Sequence, residues 1–110
     1  PSESTSDSII FFLHGMGDSG EGIGSALRSY GFKLPTTKII CPTAPQRKFS
    51  LMGGRLANVW FDREGILPSV EEDNEGMDAT IRSLRTLIDA EVASTGVPLS
   101  RMFLGGFSMG

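Results

Sequence analysis

The sequence predicts an α/β protein built on a mostly parallel sheet with crossover helices, and two observations carry that prediction. Apolar runs of strand length recur at Ser8 to His14, Thr37 to Cys41 and Arg101 to Gly106. Helical patterns fall between them, a short one after the first run and a long one before the last. Strands separated by helices do not form hairpins, so they pair in parallel through right-handed crossovers.

Each element has a local reason. Ser8 to His14 is apolar, β-branched and aromatic between polar residues and glycine, the pattern of a strand buried on both faces. Gly15 to Gly24 is glycine-rich, and Ser25 to Tyr30 then carries a short helical pattern that Gly31 closes. Thr37 to Cys41 is the second strand, stopped by Pro42 and Pro45. Thr43 to Pro68 reads as an irregular connection holding Phe49, Trp60 and Phe61, and so long a connection in a compact domain points to the lining of a site.

Met77, Ile81, Leu84, Ile88 and Val92 recur at spacings of 4, 3, 4 and 4, which puts them on one stripe of a helix from Asp73 to Ser94. Glu71, Glu72, Asp73 and Glu75 favour its start, Gly96 and Pro98 its end, and the stripe is expected to be core covering the sheet. Arg101 to Gly110 reads as a buried strand running into a turn, with no helix after it. Residues 9–110 are therefore expected to be the N-terminal portion of a single domain, truncated at that turn. Residues 1–8 form a polar tail without the basic and apolar regions of a signal peptide.

The composition narrows the function. Of 110 residues, 39% are hydrophobic and 21% charged, with a net charge of -3 and a mean hydropathy of -0.02, values that argue against a membrane-spanning or disordered chain. The longest apolar run, Ile9 to Leu13, is five residues, whereas a transmembrane helix needs about 20. The ten Lys and Arg are scattered, so no basic patch marks a nucleic-acid partner. A single cysteine, Cys41, cannot form an internal disulfide and favours a reducing compartment.

Two glycine motifs carry the chemistry. Gly15-Met16-Gly17-Asp18-Ser19-Gly20 matches the dinucleotide fingerprint G-x-G-x-x-G, but the second strand ends in Ile40-Cys41-Pro42-Thr43, without the carboxylate that would hold a ribose. The same loop could instead need its glycines so that backbone N–H groups face a substrate oxygen, or could be a structural turn. Asp18 is expected to brace it through local side-chain to backbone hydrogen bonds. Gly106-Phe107-Ser108-Met109-Gly110 is G-x-S-x-G, the strand-to-helix elbow that lifts a serine to the top of an α/β sheet. Ser108 is the candidate nucleophile, and the main-chain N–H groups of Met109 and Met16 are the candidate oxyanion donors.

His14 is the one histidine and precedes Ser108 by 94 residues. In elbow hydrolases the chain order is Ser, then Asp or Glu, then His, so His14 reads as a loop brace rather than the base. The base and acid are expected beyond Gly110, and the 110 residues alone are expected to be inactive. Phe49, Leu51 and Met52 are candidates for an acyl channel or for ordinary packing, Asp62 and Arg63 for substrate positioning or a solvated pair, and Cys41 for a small buried thiol.

Phe12-Leu13-His14-Gly15-Met16-Gly17-Asp18-Ser19-Gly20, Cys41-Pro42-Thr43-Ala44-Pro45, Val59-Trp60-Phe61-Asp62 and Leu104-Gly105-Gly106-Phe107-Ser108-Met109-Gly110 stand in the order and spacing of the acyl-protein thioesterase and lysophospholipase family of serine hydrolases. The chain resembles that family over residues 9–110. Met109, where many members have glutamine, and Asn58 bring it nearest the lysophospholipase-like branch. The resemblance implies a cytosolic α/β-hydrolase without cofactor or metal, acting on acylated proteins, small acyl esters or lysophospholipids. It places the nucleophile on Ser108, the oxyanion donors on Met16 and Met109, and loop support on His14, Gly15, Gly17 and Asp18. Trp60 and Phe61 match an aromatic pair near the active-site loops, and with Met52 they are the expected pocket residues. A second reading keeps the scaffold as an acyl-lipid-binding module without turnover.

Overall fold

β1 (Ser8–Leu13) is the middle strand of a three-stranded parallel sheet, with β2 (Thr37–Ile40) on one side and β5 (Met102–Gly106) on the other. In the computed structural model, which describes residues 6–31, 34–67 and 69–110, Ser8 pairs with Thr37 and Leu13 with Gly106. Residues 1–5 of the expected tail, and Pro68 at the end of the expected connection, lie outside the described residues. Ser8 belongs to β1 rather than the tail, and its hydroxyl shares a 2.7 Å hydrogen bond with that of Thr37.

Alternation along β1 decides where the core sits. Ile9, Phe11 and Leu13 are buried, whereas Ile10 and Phe12 are half-buried, so one face is covered fully and the other in part. Over the covered face lies α2 (Asn74–Thr95), whose Leu87 and Ile88 pack on the cluster of Ile9, Phe11 and Val97. Leu84 packs on the cluster of Leu13, Ala44 and Trp60. Asp73 caps the start of α2 by accepting from the Gly76 N–H, and Gly96, at φ 76°, closes its end in the left-handed conformation.

Three expectations are corrected. The first helix, α1, runs over Gly20–Ser29 and so begins inside the glycine-rich stretch. Ser19 caps it by accepting from the Gly22 N–H, and its first residue abuts β2's continuation so closely that a Cβ on Gly20 would stand 1.8 Å from the Cys41 carbonyl oxygen. Glycine there is tight packing, not loop. The connection after β2 contains an antiparallel hairpin, β3 (Gln46–Phe49) and β4 (Arg55–Asn58), joined by a 3-10 turn and by Gly53 and Gly54 at φ 68° and 84°. Its buried side, Phe49, Ala57 and Val59, forms a third cluster onto which Met109 packs.

The third correction concerns burial. Among the described residues β5 pairs with β1 alone, and Phe103 and Leu104 are 56% and 60% exposed instead of buried. The apolar stripe of α2 is likewise only partly core, because Ile81 remains 58% exposed beside Leu99 and Leu104. No helix among the described residues is long and apolar enough to cross a membrane.

Candidate active site

β1 and β5 end side by side, and the two glycine motifs follow their ends. Ser108 stands just beyond β5 at φ 59°, the one positive φ outside glycine among the described residues. A non-glycine residue in that region costs about 1–3 kcal/mol, so the surroundings must impose it. They do so through the flanking glycines. A Cβ on Gly106 would stand 2.2 Å from the Gly110 carbonyl carbon, a separation only glycine tolerates. The Phe107 N–H donates to the Leu13 carbonyl at 3.0 Å, and the Gly110 N–H closes the turn on the Phe107 carbonyl at 3.0 Å.

The loop after β1 meets this turn. A side chain on Gly15 would begin 3.3 Å from the Ser108 Cβ and 3.4 Å from the Phe107 carbonyl oxygen. Gly17, at φ 75°, donates its N–H to the Asn58 carbonyl at 3.0 Å, and the Asp18 N–H turns back to the Gly15 carbonyl at 3.2 Å. The side-chain brace expected of Asp18 is not seen among the described residues: its main-chain N–H makes the turn, its carboxylate lies over Gly22, and the hydroxyl that caps α1 is that of Ser19. Between these anchors the N–H groups of Met16 and Met109 make no hydrogen bond with any described residue.

His14 is fully buried and both of its ring nitrogens are occupied. The Ala44 N–H donates to Nε2 at 2.9 Å, so Nε2 is the acceptor and Nδ1 carries the proton that it donates to the Gly15 carbonyl at 2.7 Å. The ring also lies 4.9 Å from that of Trp60, centroid to centroid, tilted by 35°. Such a histidine has no lone pair to offer a serine hydroxyl.

An open cavity of about 370 Å³ holds Ser108 on its wall together with Met16, Met109, Leu51, Phe61, Arg63 and Ile66. Of the three expected pocket residues only Phe61 lines it. Trp60 is 6% exposed and turned into the core, where its indole N–H donates to the His14 carbonyl at 2.8 Å and its own carbonyl accepts from the Thr80 hydroxyl. Of the acyl-channel candidates in the 3-10 turn, Leu51 lines the cavity and Met52 is not among its lining residues. Phe49 is core. Arg63, a candidate for substrate positioning, stands on the wall as well, whereas Ile66 comes from a segment without periodicity that no pattern marked.

Asp62 pins the hairpin to this wall. Its Oδ1 accepts from the N–H groups of Ser50 and Arg63 at 2.8 and 2.9 Å, and its Oδ2 from the Ser50 hydroxyl at 2.6 Å. Burial pushes the carboxyl up, but those hydrogen bonds and the positive charge of Arg47 outweigh it and hold the group below the ordinary aspartate range. Asp62 is thus a structural clasp rather than a substrate contact or half of a solvated pair with Arg63.

This arrangement has relatives. The family model described as phospholipase/carboxylesterase matches residues 1–110. Lysophospholipase-like protein 1 of Mus musculus is 42% identical over 104 residues, 92% of this chain and 43% of that protein. Acyl-protein thioesterase 1 of Cryptococcus neoformans is 40% identical over 113 residues, covering 100% of this chain and 47% of that protein. Among solved structures, acyl-protein thioesterase 2 of Zea mays matches with a TM-score of 0.75 and 36% identity over 96% of this chain and 42% of that one. SOBER1 of Arabidopsis thaliana shares the fold, with a TM-score of 0.81 at 24% identity over 93% of this chain and 50% of that one. The chain spans just under half the length of the curated relatives it matches. With the α/β-hydrolase fold and the motif residues both in register, the chain belongs to the phospholipase/carboxylesterase family.

Proposed function

We propose that the protein is a serine hydrolase of acyl thioesters or carboxylic esters, with Ser108 as nucleophile. The observation that carries this reading is the left-handed Ser108 beside Gly15, on the wall of a largely apolar cavity that also holds Met16 and Met109. The Ser108 hydroxyl attacks the acyl carbonyl carbon as its proton passes to a general base, and the N–H groups of Met16 and Met109 hold the oxygen that becomes negative. The tetrahedral intermediate collapses with loss of a protonated thiol or alcohol. Water then hydrolyses the acyl-serine by the reverse proton path and frees the carboxylic acid.

His14 is not the base, because both ring nitrogens are engaged in the main chain. The base and its orienting carboxylate are placed on residues outside these 110. The apolar wall supports a substrate with an acyl chain, and the names of the relatives extend the proposal to acylated proteins and lysophospholipids. In full-length protein a fluorophosphonate is expected to label Ser108, and Ser108→Ala to abolish both labelling and hydrolysis. Labelling that survives the substitution would end this reading.

A further inference from the structure

We propose that Asn58 is a positioning residue for the Met16 N–H, acting through Ala44 and the His14 ring. The proposal rests on the reading of Met16 as an oxyanion donor. Four hydrogen bonds form a closed circuit around that residue. The Gly17 N–H donates to the Asn58 main-chain carbonyl at 3.0 Å, and the Asn58 carboxamide Nδ2 donates to the Ala44 carbonyl at 2.8 Å. The Ala44 N–H donates to His14 Nε2 at 2.9 Å, and His14 Nδ1 donates to the Gly15 carbonyl at 2.7 Å.

Peptide planarity makes the last bond decisive. The Gly15 carbonyl and the Met16 N–H belong to one peptide unit and point in opposite directions, so holding the oxygen aims the hydrogen. The next peptide unit, between Met16 and Gly17, is held from its other end by Asn58. Both planes that flank the Met16 Cα are thus held by partners outside the loop, the Gly15 carbonyl by the shorter bond from His14 beside the 3.2 Å bond from the Asp18 N–H within it. The direction of the chain of donors also matters, since a hydrogen bond accepted by a carbonyl polarises its amide and strengthens the N–H at the far side. Asn58 enters this circuit twice, through its main chain and its side chain.

The Asn58 side chain sets the Ala44 segment, and that segment keeps His14 in the tautomer that can donate to Gly15. Met16 itself is 49% exposed and its side chain contributes nothing to this aim. An oxyanion donor acts only on the transition state, so loosening it lowers kcat and spares KM.

The test compares full-length wild type with Asn58→Ala and the isosteric Asn58→Asp, both of which remove the donor to Ala44 while leaving the main-chain bond to Gly17 possible. Active sites are counted by exhaustive fluorophosphonate titration, so that misfolded protein does not enter kcat. Removal of an oxyanion donor costs about 100-fold to 1,000-fold, and misaiming one is expected to cost about tenfold in kcat per titrated site with KM unchanged. An alkylboronic acid, which mimics the tetrahedral anion, is expected to bind about tenfold more weakly, whereas the product fatty acid binds as before. Unchanged kcat and boronate affinity per site, in a protein that still labels at Ser108, overturn the role of Asn58 and leave the hydrolase reading standing. Absence of labelling in the wild type removes that reading first. A rise in KM with kcat unchanged would assign Asn58 to substrate binding instead and likewise overturns the proposal.

Discussion

A Cβ on Gly110 would stand 2.1 Å from the Leu13 carbonyl oxygen, so the end of the elbow and the end of the central strand can approach as they do only through glycine. The Leu13 carbonyl is also the acceptor for the Phe107 N–H, and any displacement of it is passed to both sides of Ser108. Gly110→Ala is expected to lower kcat/KM by at least about 100-fold, the order of loss that follows a 1 Å misplacement of a reacting group. Gly17→Ala makes the contrast. Nothing lies within 4 Å of its added methyl, and its cost is the strain of φ 75°, about 1–2 kcal/mol of stability. Ester hydrolysis and urea unfolding of the two full-length variants check both arms, and equal loss of activity would refute the steric account of the elbow.

Adjacent aromatic residues on opposite sides of the wall should separate by experiment. Phe61 lines the cavity, whereas Trp60 is committed to the His14 carbonyl. Phe61→Ala is expected to change the ratio of kcat/KM between eight-carbon and four-carbon esters by about fourfold or more, since one buried methylene is worth about 0.8 kcal/mol. Trp60→Phe leaves that ratio unchanged but strands a buried carbonyl, at about 1–3 kcal/mol of stability. A chain-length series with both variants, paired with urea titrations, decides the matter. A shifted ratio in Trp60→Phe would return that residue to the pocket.

Acid sensitivity follows from Asp62. Its carboxyl is held below the ordinary range in the folded protein, so the unfolded chain binds the proton more readily. The stabilisation is therefore fully present above the unfolded aspartate value, about 3.9, and is lost as pH falls through the lower folded value. Asp62→Asn is expected to be less stable than wild type at pH 7, with the gap closing as the pH drops below about 4. Thermal unfolding at stepped pH reads this directly. A gap that stays constant into acid would show that the Ser50 clasp owes nothing to the charge.

What could be read in the sequence depended on whether a local pattern and its environment agreed. β1 announces itself because its apolar run matches its burial, α2 because its apolar stripe has the helical period although Ile81 stays exposed, and the boundary of α2 is legible in Asp73 and Gly96, whose caps are local chemistry. The elbow is legible for the same reason: each glycine answers a close approach that the serine turn itself creates. α1 hides its first turn because Gly20, Gly22 and Gly24 are poor helix formers, retained where the helix presses against Cys41 and its caps. The hairpin hides because Gln46-Arg47-Lys48 carries no apolar alternation, although Gly53-Gly54 is a turn signal. In a segment without a period, nothing tells which of Trp60 and Phe61 faces inward, so the wall of the cavity needed the fold.

Cys41 offers a chemical check on that packing. Burial pushes its thiol up from the ordinary value, and the nearby positive charge of Arg28 offsets this only in part. Gly24 of α1 lies against the sulfur: a Cβ there would be 3.8 Å from Sγ, and the adjoining Cys41 carbonyl is covered by Gly20. The thiolate is the reactive form, so a raised value and partial cover both slow alkylation. Maleimide modification of folded protein at pH 7, followed by mass spectrometry, is expected to run at least about tenfold slower than that of the urea-unfolded chain. Gly20→Ala should remove most of that protection, because its methyl cannot fit against the Cys41 carbonyl without parting α1 from the strand end. Equal rates for folded and unfolded wild type would mean that α1 does not close over Cys41.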